Sequence, residues 1–244
     1  MKSSFLDRYE VDQSAPTRGE AFRDAAARVL APAAVLWAVI VGVGYLIVNV
    51  FNDIPAEDQL TRDVQKGRTP LWDTVTMIWS RIGNTEIIIG TCVVVSLIIL
   101  WRTRQWWFAL IPAIAIAMQA TVFVLATVVI GRKRPSAVHL DPAPPTSSYP
   151  SGHVGAATAL YLSFAFMAQR IETAWLRRLV TTLLVVIPFL VAYARLYRGM
   201  HQLSDIVIGM LNGIVCALLA WYWLRRRTAG SAGRSEQQGE RTVV

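Results

Sequence analysis

The sequence predicts an all-α integral membrane protein, a six-helix bundle with both termini cytoplasmic, on three observations. Only 16% of the 244 residues are charged while 54% are hydrophobic, against about 25% charged in ordinary soluble domains. The apolar residues fall into six uncharged runs, 29–50, 87–101, 105–131, 154–169, 179–194 and 206–224. Lys and Arg are unevenly divided between the segments joining these runs, fifteen on the side of the N-terminus against nine on the other. Cytoplasmic loops carry that kind of excess.

Each run has the character of a spanning helix. A span needs roughly 17–25 apolar residues, so 87–101 and 179–194 must borrow from their flanks. The first run follows 28 polar residues and is too long for a cleaved signal core, so it reads as a retained anchor. Three segments follow: a cytoplasmic stretch 1–28 with a short interfacial helix, one membrane domain 29–224, and a polar, disordered cytoplasmic tail 225–244. The mixed pattern of 71–83 (LWDTVTMIWSRIG) reads as a helix lying on the membrane outside. The formal net charge of +8 is accounted for by loop topology rather than by a nucleic-acid partner. Cys92 and Cys216 lie inside apolar runs and read as packing residues. Nothing in the sequence sets an oligomeric state.

Three polar clusters sit at the non-cytoplasmic ends of these runs: GRKRP at 131–135, PSGH at 150–153 and ARLYRGMHQLSD at 194–205. Ser151 and Gly152 open the fourth run. A helix N-terminus offers free N–H groups and a partial positive charge, which attract phosphate, and glycine lets an anion come close. His201 and Asp205 are four apart, which on a helix places them on one face. A carboxylate on one ring nitrogen fixes the tautomer and leaves the other nitrogen free to act. Arg134 and Arg195 are suited to a forked grip on phosphate oxygens. Two unit charges about 4 Å apart interact by roughly 4 kcal/mol at an effective dielectric of 20. Arg198 reads equally as a site cation or a surface one. His139, Asp141 and Tyr149 lie in a proline-rich connector, 137–150, that borders the site as a rim. No spacing of His, Cys or acidic residues suggests a metal site, and no cofactor is expected.

Taken together, Arg134-Pro135, Pro150-Ser151-Gly152-His153 and Arg195-x5-His201-x3-Asp205 resemble the signature of the type-2 phosphatidic acid phosphatase and vanadium haloperoxidase superfamily, over roughly residues 35–224. The resemblance implies a metal-independent lipid phosphatase. It implies that His201 attacks phosphorus to form a phosphohistidine, that Asp205 orients it, and that His153 protonates the leaving oxygen and then activates water. Arg134, Arg195, Ser151 and Gly152 would hold the phosphoryl oxygens. Two positions depart from the signature. Ala194 replaces a serine, and Thr127 replaces the lysine of the first motif. A lost preorganised donor can cost on the order of 10²–10³ in rate. Lys133 or Arg132 is then the candidate to supply the missing charge. Phosphatidic acid, phosphatidylglycerophosphate and polyprenyl diphosphate such as an undecaprenyl carrier all fit as substrates held in the bilayer, with the site facing out of a cell membrane. The alternative is a lipid-phosphate binding or transport protein whose catalysis is weakened by Thr127.

Overall fold

The computed structural model describes residues 17–143 and 145–223, and among them the only regular structure is helical. The expectation for the tail 225–244 and most of that for 1–28 lie outside the described residues. Helix α1 (Arg18–Ala25) runs through a π-turn, Ala26–Leu30, into α2 (Ala31–Asn49). The chain then turns through Asn52, Asp53 and Ile54, all at positive φ, a conformation costly for a β-branched residue. Helices α3 (Pro55–Lys66) and α4 (Pro70–Ile82) follow. Each starts with proline in its first turn, where the missing N–H costs nothing, and α4 is the segment expected on the membrane outside. Then come α5 (Thr85–Thr103), the short α6 (Trp106–Ala109), α7 (Ile111–Val129), α8 (Gly152–Met167), α9 (Ala174–Tyr197) and α10 (Leu203–Tyr222).

Five of the helical segments are long and apolar enough to cross a membrane: Ala21–Asn49, Thr85–Thr103, Trp106–Val129, Ala174–Tyr197 and Leu203–Tyr222. The sixth apolar run forms α8, with 16 residues, about 24 Å long at 1.5 Å per residue and shorter than a typical hydrocarbon core. It is the centre of the bundle rather than a lipid-facing span. Helices α7, α9 and α10 pack around it, and Val154, Ala157, Ala159 and Leu160 are fully buried. The α8–α10 contact is close because glycine forms it: a Cβ on Gly213 would stand 2.6 Å from Thr158 Cβ and 2.5 Å from the Gly155 carbonyl oxygen. Small residues at a helix crossing gain dispersion contact that lipid cannot displace. The outer faces of α2, α5 and α9 stay apolar and exposed, as with Val39, Leu97 and Leu183, which suits lipid contact.

Candidate active site

The end of α7, the start of α8 and the α9–α10 turn meet at one end of the bundle and enclose a cavity of about 720 Å³. Its wall includes Arg134, Gly152, His153, Arg195, Arg198 and His201. Residues from all three polar clusters thus converge. Gly199 makes the last turn possible: its φ is +71, and a Cβ there would stand 2.8 Å from the Val138 carbonyl oxygen. That reversal delivers His201 to the cavity just before α10 begins.

The cation set is held from behind and leaves donors uncommitted. Arg134 Nη1 donates to the Met200 carbonyl at 2.7 Å, and Arg195 Nη1 donates to Ser80 Oγ and to Asp141 Oδ2, each at 2.9 Å. The Nε–H groups of both arginines are buried without a hydrogen-bond partner. Arg198 clasps Asp141 through Nη2 at 2.6 Å and Nε at 2.9 Å, so it is a cavity residue rather than a surface cation. Burial pushes the Asp141 carboxyl up, but the hydrogen bond and charge of Arg198, with the charge of Arg195, outweigh it and hold the group below the usual carboxylate range. Arg81 also lies on the wall, so four guanidiniums and one carboxylate leave the site cationic, and the carboxylate already sits where an anion would be gripped.

His201 is positioned differently from the spacing argument. It precedes α10, whose N-cap is Gln202, and Asp205 is the third residue of the helix. His201 Nδ1 lies 2.8 Å from the Ser148 carbonyl oxygen and 3.8 Å from Asp205 Oδ2. The direct hydrogen bond is therefore to Ser148, which places the proton on Nδ1 and leaves Nε2 unprotonated. Asp205 acts one step behind. It accepts from the Ser148 hydroxyl and from the Gln202 amide at 3.0 Å, so it fixes the two segments that frame the ring. Burial pulls the His201 imidazole below its ordinary value, opposed by Asp205 and reinforced by the charges of Arg195 and Arg134. His153, in the first turn of α8, has Nε2 at 3.0 Å from Asn84 Oδ1, the N-cap residue of α5.

Behind Asp205 stands Arg132, its side chain fully buried. It donates to Asp205 Oδ1 at 2.6 Å, Glu57 Oε2 at 3.0 Å and Asp53 Oδ1 at 3.2 Å. Burial alternates along the non-helical segment after α7, with Ile130 and Arg132 in and Gly131 and Lys133 out. Alternation of that kind points successive side chains to opposite sides. Lys133 is therefore turned away, and neither it nor Arg132 lines the cavity, which corrects the expectation that one of them replaces the motif lysine. Thr127 is also not part of the wall, and its buried hydroxyl has no hydrogen-bond partner. Ser151 occupies the N-cap position of α8 without a side-chain cap bond; it is buried one residue behind the wall, with its Oγ unpartnered. Tyr149 is no site contact, since its hydroxyl donates to the Ile40 carbonyl at 2.8 Å. His139 lies 3.1 Å from the Pro135 carbonyl oxygen and serves the rim. Ser80, Asn84 and Ser148 carry no motif signal. They were findable only as polar residues flanking the predicted spans.

The model of the PAP2 superfamily matches residues 106–229, more than half of the chain, and the chain belongs to that family. Its fold resembles the crystal structure of a transmembrane PAP2-type phosphatidylglycerolphosphate phosphatase from Bacillus subtilis, with a TM-score of 0.65, 18% identity, and coverage of 85% of this chain and 96% of that one. It also resembles the crystal structure of Aquifex aeolicus LpxE, with a TM-score of 0.53, 22% identity, and coverage of 66% of this chain and 92% of that one. At these identities the likeness is one of fold. No curated protein matches the sequence.

Proposed function

We propose that this protein is an integral membrane lipid phosphatase working through a phosphohistidine on His201. The observation that carries the reading is the convergence, in one cavity, of a buried imidazole with an unprotonated Nε2, a second histidine at a helix N-terminus, and four guanidiniums. In the proposed reaction the lone pair of His201 Nε2 attacks phosphorus while the bond from phosphorus to the lipid oxygen breaks. His153, protonated once the phosphate dianion is bound beside it, gives its proton to that oxygen. The now neutral His153 then takes a proton from water as the water oxygen attacks phosphorus, and the phosphorus–nitrogen bond breaks to release inorganic phosphate. Arg134 and Arg195, both on the cavity wall, stabilise the equatorial oxygens, and Gly152 lets those oxygens approach the start of α8. No metal enters these steps. The excess of Lys and Arg on the side of the N-terminus supports a site facing out of the cell.

The cavity wall continues from this polar end into Ile88, Ile116, Ala120 and Val124, which supports a substrate whose tail stays among the helices. The test is phosphate release from phosphatidic acid, phosphatidylglycerophosphate and undecaprenyl diphosphate by the purified protein in detergent with EDTA, beside His201→Ala. Metal-independent release lost in the variant is the expected result. Binding of all three lipids without release by the wild type would instead support the lipid-phosphate binding reading, with the charge missing at Thr127 as its cause.

A further inference from the structure

The four guanidiniums on the cavity wall are not equally engaged. Arg134, Arg195 and Arg198 are each tied to a carbonyl or a carboxylate. Arg81 lines the same cavity and is exposed, and among the described residues its side chain has no hydrogen-bond or ion-pair partner.

Its place follows from α4. Met77, Ser80 and Arg81 all line the cavity, at the i, i+3 and i+4 spacing that puts side chains on one helix face. Arg81 stands in the last turn. The residue before it, Ser80, accepts from Arg195 Nη1 at 2.9 Å. Just beyond it, a Cβ on Gly83 would stand 3.2 Å from His153 Cβ, and Asn84 Oδ1 lies 3.0 Å from His153 Nε2. Arg81 therefore belongs to the flank of the cavity where His153 stands. In the reaction proposed above His153 protonates the leaving oxygen, so a free guanidinium on this flank meets the part of the substrate beyond that oxygen. A guanidinium fork matches phosphate oxygens there and gains nothing from hydrocarbon. We propose that Arg81 is a specificity-determining residue that grips a second phosphate carried by the leaving group, and so favours lipids with two phosphates over simple monoesters. That second phosphate is bonded directly to the leaving oxygen in a polyprenyl diphosphate and lies across a glycerol in phosphatidylglycerophosphate, whereas phosphatidic acid has none. The assignment rests on the phosphoryl site proposed above.

The test uses the full-length protein in detergent and two pairs of lipids that differ by the second phosphate: farnesyl diphosphate with farnesyl phosphate, and dihexanoyl phosphatidylglycerophosphate with dihexanoyl phosphatidic acid. Initial phosphate release gives kcat/KM, and ligand-induced thermal shifts give affinity. Arg81→Gln breaks no bond of the fold, so its melting temperature without lipid is expected to match wild type. It is expected to lower kcat/KM for all four lipids, because the cavity loses a cation. The ratio of each two-phosphate lipid to its partner is expected to fall by about a further tenfold, the low end for a hydrogen bond to a charged group because the site is wet. Arg81→Lys keeps the charge without the fork and is expected to recover part of the ratio. A fall confined to the farnesyl pair assigns Arg81 to a diphosphate, and a fall confined to the glycerol pair assigns it to a phosphodiester. Unchanged ratios in both pairs, in turnover and in affinity, overturn the assignment even where both members fall together. Tighter binding of the two-phosphate lipids that Arg81→Gln abolishes, with no phosphate release by the wild type, leaves it standing and overturns the catalytic reading instead.

Discussion

Arg132 is the residue whose loss should be felt most, although it does not touch the cavity. Its guanidinium pairs with Asp205 and Glu57, whose side chains are 0% and 12% exposed, and with Asp53, which at 43% is well solvated. Arg132→Met leaves the first two carboxylates buried without their cation. Removing one partner of a buried pair costs about 3–5 kcal/mol, while the Asp53 pair adds at most about 1 kcal/mol. At about 2–4 °C per kcal/mol for a chain of this size, and about 3–6 kcal/mol in all, the melting temperature in detergent should fall by about 6–24 °C. Arg132→Lys keeps a point charge but loses the fork and should fall in between. The triple variant Arg132→Met, Glu57→Gln, Asp205→Asn carries no orphan charge and should recover at least half of the loss. A Met variant as stable as wild type would refute the reasoning, because it would mean that the pairing of Arg132 with Asp205 and Glu57 contributes nothing to the fold.

Other outcomes follow from the same geometry. His201 is shifted below its ordinary value of 6.5 by burial, so its neutral form persists to lower pH. The acid limb of kcat/KM that reports it should therefore lie below 6.5, measured with a diphosphate and a monoester to separate substrate ionisation; a limb above 6.5 in both would contradict the shift. Asp141→Asn removes the carboxylate that competes for Arg195 and Arg198. Inhibition by inorganic phosphate should tighten about tenfold, equivalent to about 1.4 kcal/mol, as read from an inhibition curve. Gly213→Leu drives a side chain into the Gly155 carbonyl and Thr158 and should cost more than the usual 1–3 kcal/mol of overpacking, seen as loss of monodisperse protein on size exclusion.

The sequence made the membrane class and the polar convergence legible, for reasons that lie in single segments. Long uncharged runs such as 105–131 satisfy their backbone in a membrane as helices, and each of the three ends that meet at the site carries a motif. What it could not convey was direction. His201 and Asp205 share a spacing that suits a helix face, but the helix begins at Leu203, so the ring is bonded to Ser148 from a loop 53 residues earlier. Arg132, Lys133 and Arg134 look equivalent in a row. Only the end of α7 at Val129 and the alternation beyond it send Arg132 behind Asp205, Arg134 into the cavity and Lys133 outward. The run 154–169 is as apolar as its neighbours in sequence, yet it is the central helix, because burial on all sides and exposure to lipid demand the same residues.

The most direct measurement of the central claim is a rapid quench into alkali after mixing the purified protein with lipid carrying a radiolabelled terminal phosphate, followed by peptide mapping. Alkali preserves a phosphorus–nitrogen bond that acid destroys. The expected result is label on the peptide that contains His201, formed within the first turnover and absent in His201→Gln. Phosphate release at full rate from the His201→Gln variant, or turnover by the wild type with no label ever found on that peptide, would contradict a nucleophilic His201.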